Sequence, residues 1–434
     1  MEITKNGKTL SAAALRTAAQ PISYLMTVAL ERKKLISLAA GFVDYDTLPV
    51  DEMRRTCEEV FCDPALGRAA LQYGTTLGFP PLRNLLLRRL AEREGLSPED
   101  LSLTADHVII TSGSQQLLYL VSSVLVDPGD IVLLPRPAYF VYMGVLQVLG
   151  ARVVGIETDD QGLRADHLDA RLAELDAAGD LLRVRLLYLC SYFDNPTGLT
   201  VSARRREELV ETVRRWRRRQ TFYIIEDAAY RDLKDEAVAD VPSMKALDPD
   251  NDLVVLAGTF SKPLSPGMKT GYGFLPADLI GPVVDQKSSH DFGSANLCQH
   301  LVYRLLVSGR ADEHVLRLRD AYALKRRAML KALDEHFGGL RAAGRVAWTR
   351  PGGGLYVWLT LPEGVNTDLD GSLFKRCLDC GVIYVPGSFC YAEEQGLDVP
   401  RNHMRLSFGV PSIEDGREGV RRLADAVREE WPCD

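Results

Sequence analysis

The chain has 434 residues, 46% hydrophobic and 8% aromatic, with a formal net charge of −7. That length supports two or more domains with large buried cores, and the acidic balance argues against a nucleic-acid partner, since phosphate backbones select basic surfaces. No apolar run reaches membrane-spanning length and the opening MEITKNGKTL lacks an apolar signal-peptide core, so the expectation is a soluble cytoplasmic protein with no membrane partner.

Residues 1–35 read as an arm and one helix, with helical periodicity around Pro21. LISLAAGFVDYDTLP then becomes a loop rich in Gly, Asp and Pro. From 51 to 95 the pattern is helical, broken by LQYGTTLGFPP. PLRNLLLRRLAEREG is an amphipathic helix with a Gly stop.

From about 105 strands and helices alternate. HVIIT, IVLL, ARVVGIE, VRLLYLC, FYIIED and LVVLAG are short runs rich in Val, Ile and Leu, and SQQLLYLVSSVLV and SARRREELVETVRRWRRR are helices between them. Fully apolar strands alternating with helices predict an α/β fold whose mainly parallel sheet is covered on both faces. Such sheets bind ligands at the carboxyl ends of their strands. The arginines of 204–219 lie among Glu207, Glu208 and Glu211 and read as a solvated helix face. Near 310 a long helix leads into a smaller α+β unit, with strands in RVAWTRPGGGLYVWLTLP, GVIYVPG and HMRLSFG and a closing helix to Trp431. The expected division is 1–48 for the arm and helix, 49–310 for a large domain and 311–434 for a small C-terminal domain.

Eight cysteines include one C-x-x-C, Cys377 and Cys380, without a second pair at zinc spacing. They read as two cysteines on one face of a helix, with reduced thiols and no metal.

Four strand ends carry unusual loops. Ser112-Gly113-Ser114-Gln115-Gln116 opens a helix after HVIIT, where free N–H groups and the helix dipole attract an anion; an ordinary Ser N-cap has the same residues. Asn195-Pro196-Thr197-Gly198 builds a tight turn after VRLLYLC, either a plain turn or one that presents the Asn side chain. Asp227 ends an apolar strand, where a carboxylate is costly unless paired; it is a helix N-cap or the counter-ion of a buried cation. Lys262 follows the strand Val254–Ala257, flanked by Thr259 and Ser261 and held by Pro and Gly, with a second cation at Lys269. It is a loop lysine with its head in water, or a desolvated amine able to form a Schiff base. Together the loops offer an anion cradle, a buried carboxylate, a phenol (Tyr230) and a lysine. A cofactor with a phosphate, a ring nitrogen and an aldehyde uses all four, and that cofactor is pyridoxal phosphate.

These residues carry a family resemblance. TSGSQQ, Pro137-Ala138-Tyr139, NPTG, EDAAY, TFSKPLSPGMKTGYG, PGGGLYVW and RLSFG occur in the order and spacing of the fold-type I class I/II aminotransferases. The chain most resembles the branch containing 2-aminoadipate and kynurenine aminotransferases, from about LISLAAG to RLSFG. The resemblance implies that Lys262 holds the cofactor as a Schiff base, Asp227 pairs with its ring nitrogen, and Asn195 and Tyr230 hydrogen-bond its ring hydroxyl. It implies that Tyr139 stacks on the ring, and that Gly113, Ser114, Gln115, Thr259, Ser261 and Lys269 surround the phosphate. Tyr73, in LQYGTTLG, resembles the tyrosine that reaches the partner subunit's phosphate, which implies a homodimer. Arg405 matches the arginine that grips the substrate α-carboxylate, and Gly41 lies in the segment covering the substrate.

The implied activity moves an amino group between an α-amino acid and a 2-oxo acid. Lys262, displaced by the substrate amine, takes the α-proton as general base and returns it to the cofactor carbon. A second oxo acid reverses the sequence, giving ping-pong kinetics.

Three departures stand out. Lys269 replaces the usual Arg, a point charge in place of a fork. Asp194 replaces Gln before NPTG. Ile22-Ser23-Tyr24-Leu25-Met26 lacks the arginine that binds acidic side chains in the aminoadipate branch, which weakens the case for a dicarboxylic substrate. Asp44, Tyr45 and Asp46 of the covering loop either favour a polar or cationic side chain or form a solvated loop. One alternative keeps the cofactor and changes the reaction to that of a lyase, cyclase or oxidative deaminase. The other is a regulatory module, which needs a DNA-binding region ahead of the family match that 35 residues are too few to build.

Overall fold

Strands buried on both faces organise the molecule, a computed structural model that describes residues 4–5, 8–17, 24–25, 27–28, 31–32 and 34–431. Much of the helix expected around Pro21, with Ile22, Ser23 and Met26, lies outside the described residues, as does Cys433.

Val108–Thr111 (β1), Ile131–Arg136 (β2), Arg152–Asp159 (β3), Gly162–Leu163 (β4), Val184–Cys190 (β5), Tyr223–Asp227 (β6), Val254–Thr259 (β7) and Gly271–Phe274 (β8) form one sheet. Their order is β1-β8-β7-β6-β5-β2-β3-β4. The pairs from β7 through β6, β5 and β2 to β3 are parallel. The pleat sends alternate residues to opposite faces: Ile131, Leu133, Ile224 and Val254 pack into one core, and Val132, Leu134, Ile225 and Val255 into the other. Both sets are apolar because helices cover both faces, which is why these runs lack polar alternation.

β8 and β4 are antiparallel to their neighbours and were not expected from the sequence. Glycine disfavours strands, yet GYGF is one. A Cβ on Gly271 would stand 2.4 Å from the Gly113 carbonyl carbon and the Ser114 nitrogen. Glycine is there so that β8 can pass against the loop opening the helix Ser114–Leu125 (α1).

The arginine-rich helix Ala203–Arg217 (α2) is only partly the solvated face expected. Arg204 pairs with Glu208 in solvent at 2.9 Å, but Arg206 is fully buried and its Nη1 donates to Glu226 Oε1 at 2.6 Å. Its Nη2 donates to the Ser191 carbonyl at 2.7 Å, and the Ser191 hydroxyl donates to Glu226 at 2.8 Å. The buried charges are thus hydrogen-bonded on several sides, and the end of β5 is fixed to β6.

Ala347–Trp348 (β9), Tyr356–Thr360 (β10), Val385–Pro386 (β11) and His403–Ser407 (β12) form a second, antiparallel sheet in the order β9-β10-β12-β11. The helices Arg310–Ala342 (α3) and Ile413–Glu430 (α4) supply Leu333, Phe337, Leu423 and Val427 to the same core as Val357 and Leu406. GVIYVPG forms two short pairings, not one strand: Val382–Ile383 runs parallel to Ile36–Ser37, and β11 joins β12. Leu38 and Ala39 join this core, so the covering segment is anchored to the second sheet. Cys377 is buried and Cys380, the C-cap residue of its helix, is exposed. Cys380 ends the helix, so its thiol meets solvent while that of Cys377 packs into the core.

Candidate active site

The parallel strands deliver their carboxyl ends to one edge. Register places Cys190, Asp227 and Ala257 side by side, and Thr111, Gly271 and Thr259 likewise. A cavity of about 430 Å³ opens over these ends, and every site residue expected from the sequence lines it except Tyr73. Tyr73 stands on the surface, 83% exposed, edge-on to Phe292.

One end of the cavity is built for an anion. α1 begins at Ser114 with Gly113 as its N-cap at φ +76°, and no side chain caps it, so its first N–H groups remain to bind a ligand. A Cβ on Gly113 would meet nothing within 4 Å, so space lies beside it. The Thr259 hydroxyl donates to Ser261 Oγ at 3.0 Å, and Lys269 holds a left-handed turn at φ +46° with its side chain exposed.

At the centre is Asp227. Burial pushes its carboxyl up to about 6, opposed by the Ala229 N–H at 3.0 Å, the Tyr188 hydroxyl donating at 3.2 Å, and the charge of Lys262. Lys262 is half-buried. Its Nζ donates to the Gly41 carbonyl at 2.9 Å and lies 5.7 Å from the Tyr230 ring centroid.

Arg405 closes the other end, 1% exposed. Nη1 donates to Asn195 Oδ1 at 2.7 Å, Nη2 donates to the Ala39 carbonyl at 2.8 Å, and Nε is buried without a partner. The guanidinium lies 4.2 Å over the Tyr356 ring. Five N–H groups minus two used leaves three, and no carboxylate among the described residues pairs with it. A buried guanidinium without a counter-ion carries a large desolvation cost that an incoming carboxylate offsets. Because arginine only donates, the Asn195 atom it meets must be the oxygen, which leaves the Asn195 amide N–H groups for another acceptor.

Tyr188, Tyr356 and Phe140 are among the cavity residues that escaped the sequence reading. Tyr188 sits inside the apolar run VRLLYLC, where a phenol needing a partner was the available signal. Tyr356 lies within PGGGLYVW without a role of its own in the reading, and Phe140 follows Tyr139 with no marker beyond its size. The covering loop is solvated at Tyr45 and Asp46 but not at Asp44. Asp44 is buried and paired with Lys325 at 2.6 Å, so its charge is neutralised within the protein. Asp194 is buried too, accepting from Thr197 N at 3.2 Å and Thr197 Oγ1 at 2.7 Å, and burial pushes it up to about 7.

The family model described as aminotransferase class I and II matches residues 33–423. The chain is a class I/II aminotransferase. It is 35% identical to aromatic-amino-acid aminotransferase 1 of Thermococcus litoralis over 423 residues, covering 98% of this chain and 95% of that one. Among solved structures it resembles the kynurenine aminotransferase of Pyrococcus horikoshii in complex with PMP, with a TM-score of 0.87, 32% identity and 98% of each chain covered. It also resembles LysN of Thermus thermophilus, an α-aminoadipate aminotransferase complexed with N-(5'-phosphopyridoxyl)-L-leucine, with a TM-score of 0.80, 32% identity and 97% of each chain covered. The fold is therefore fold type I, and the enzyme is a pyridoxal-phosphate-dependent transferase that moves amino groups between amino acids and 2-oxo acids. The likenesses give no support to a lyase. The donor set of the aminotransferase suits the cofactor: an uncapped helix start for its phosphate, a buried carboxylate for a cationic ring nitrogen, and an amine for its aldehyde. Among the described residues no helix is long and apolar enough to cross a membrane.

Proposed function

We propose that this aminotransferase takes large apolar and aromatic α-amino acids as donors, with Arg405 gripping the α-carboxylate and Lys262 moving the α-proton. The observation that carries the reading is the buried Arg405 guanidinium, without a counter-ion and opening on the cavity that holds Lys262. Pyridoxal phosphate, when bound, supplies an aldehyde carbon that exchanges amino groups and a ring that draws electrons from the substrate α-carbon.

The chain's own residues do the rest. Asp227 would hold a proton at the ring nitrogen, with the Tyr188 hydroxyl fixing the carboxylate's orientation. Asn195 and Tyr230 would donate to the ring oxygen, and Tyr139 would cover the ring. Gly113, Ser114, Gln115, Thr259, Ser261 and Lys269 would hold the phosphate. Arg405 would orient the substrate with its α-hydrogen toward Nζ of Lys262, whose amine would take that proton as general base and then release it as general acid. Gly41 and Phe42 cover the substrate.

The cavity's lining favours apolar side chains. Phe42, Phe140, Val141 and Tyr356 are among the residues lining the cavity, and its described cations are Lys262, Lys269 and Arg405, each with a role above. Asp44 offers no free charge to a cationic side chain, because Lys325 already holds it. The names of two of the relatives, aromatic-amino-acid and kynurenine aminotransferases, agree with this choice, and that of the α-aminoadipate enzyme does not.

The division at 49–310 and 311–434 belongs to the same proposal, with residues 36–39 packing on the second unit. So do the cytoplasmic location and the homodimer. Exposed Leu71, Tyr73 and Phe292 support a subunit contact through which Tyr73 reaches the partner's phosphate site. A panel of amino donors against 2-oxoglutarate and pyruvate tests the substrate class. Phenylalanine, tyrosine and leucine are expected to give kcat/KM at least tenfold above aspartate. Preference for aspartate or 2-aminoadipate overturns it.

A further inference from the structure

Arg405, Tyr230, Gly41 and, through Gly41, Lys262 are linked around one tyrosine. Tyr356 lies on β10, 1% exposed, its ring under the Arg405 guanidinium at 4.2 Å. Its hydroxyl is 3.3 Å from the Tyr230 hydroxyl, and the rings meet edge to face with centroids 5.7 Å apart. A Cβ placed on Gly41 would stand 2.8 Å from the same oxygen, so the covering segment passes over it without a side chain. Gly41 in turn offers its carbonyl to Lys262.

We infer that Tyr356 is a positioning residue with two separable parts: its ring sets the Arg405 clamp, and its hydroxyl orients Tyr230 towards the cofactor's ring oxygen. The geometry makes the parts distinct. A guanidinium stacked on an aromatic face is held in plane by the ring alone, so the clamp does not need the hydroxyl. Tyr230 does, because its hydroxyl has no other hydrogen-bond partner among the described residues. A phenol that accepts a hydrogen bond from a second phenol is a better donor to a third oxygen, since hydrogen bonds in a chain polarise one another. Donation from Tyr230 stabilises the anionic form of the cofactor's ring oxygen, so Tyr356 acts on the cofactor through Tyr230 without touching it. The covering segment belongs to the same arrangement: a side chain at residue 41 would displace the Tyr356 oxygen.

The inference rests on the proposed roles of Arg405 and Tyr230, and the test separates its failure from theirs. The Tyr356→Phe holoenzyme keeps the ring and loses the oxygen. It is expected to hold KM for the amino donor within twofold while kcat falls at least threefold. The midpoint of the pH-dependent change in the bound cofactor's absorption is expected to move up by about half a unit, because the ring oxygen's anion loses part of one hydrogen bond. The Tyr356→Leu holoenzyme, which loses the ring as well, is expected to raise KM at least tenfold; should it fail to fold, the Phe variant alone decides. Wild-type kcat and an unmoved absorption midpoint in Tyr356→Phe overturn the inference. Arg405→Lys with wild-type KM, or Tyr230→Phe with an unmoved midpoint, overturns instead the roles on which it rests.

Discussion

Arg405 Nη1 donates to Asn195 Oδ1 across 2.7 Å, joining β12 of the second sheet to the turn that follows β5 of the first. The bond ties the group proposed to grip the substrate's carboxylate to the group proposed to touch the cofactor's ring. Neither side chain can shift without the other, so substrate orientation is set relative to the ring and not only to the protein.

Arg405→Lys keeps the charge and loses the fork. KM for amino donors is expected to rise about 10- to 100-fold, the scale of a lost charge-assisted hydrogen bond, with kcat reduced less. Steady-state kinetics on phenylalanine check this.

Asp227→Asn removes the group that holds the ring-nitrogen proton. kcat is expected to fall roughly 100-fold or more, the scale of removing a positioned proton-handling side chain. Tyr188→Phe, which deletes one donor to the same carboxylate, is expected to lie between the variant and wild type. Single-turnover rates order the three.

Asp194 predicts a pH effect on stability. Its folded-state pKa, about 7, lies above the ordinary carboxyl value because burial penalises the anion. The folded state therefore holds the proton more tightly. The stability this group contributes is complete below about pH 4 and is lost as pH rises through about 7. Asp194→Asn is neutral throughout and still accepts from Thr197. Its unfolding temperature is expected to exceed that of the wild type by more at pH 8 than at pH 5. Thermal melts at the two pH values check the sign.

Tyr73 is proposed to act only across a dimer. Tyr73→Phe is expected to raise the cofactor dissociation constant about tenfold, the scale of one hydrogen bond to a charged group, without changing the mass of the particle. Sedimentation is expected to give twice the 48.1 kDa chain mass for both proteins.

Much of this architecture was legible before the structure. Apolar runs such as VVLAGT and FYIIED read as strands because both faces are covered, and the loops after them held the chemistry. β8 was hidden because its glycines answer to a backbone contact with Gly113 and Ser114, not to strand preference. Tyr188 and Tyr356 were hidden for a different reason. Each is an aromatic residue inside an apolar run, and only the fold shows that Tyr188 faces Asp227 and Tyr356 faces Tyr230. Arg206 read as one more arginine of a solvated helix, since its partner Glu226 is twenty residues away in sequence. The pairing of Asp44 with Lys325 spans most of the chain and left no local mark.

The central claim is that Lys262 moves the proton in an amino-group transfer. Its most direct measurement is a single turnover of cofactor-loaded enzyme mixed with phenylalanine and no oxo acid, followed by absorption and by product. The wild type is expected to convert its bound cofactor to the amine form with one equivalent of 2-oxo acid per site and no free ammonia, and to revert on adding a 2-oxo acid. Lys262→Ala is expected to show neither change on the same timescale. Ammonia released without an acceptor, or an undiminished turnover by Lys262→Ala, would contradict the account.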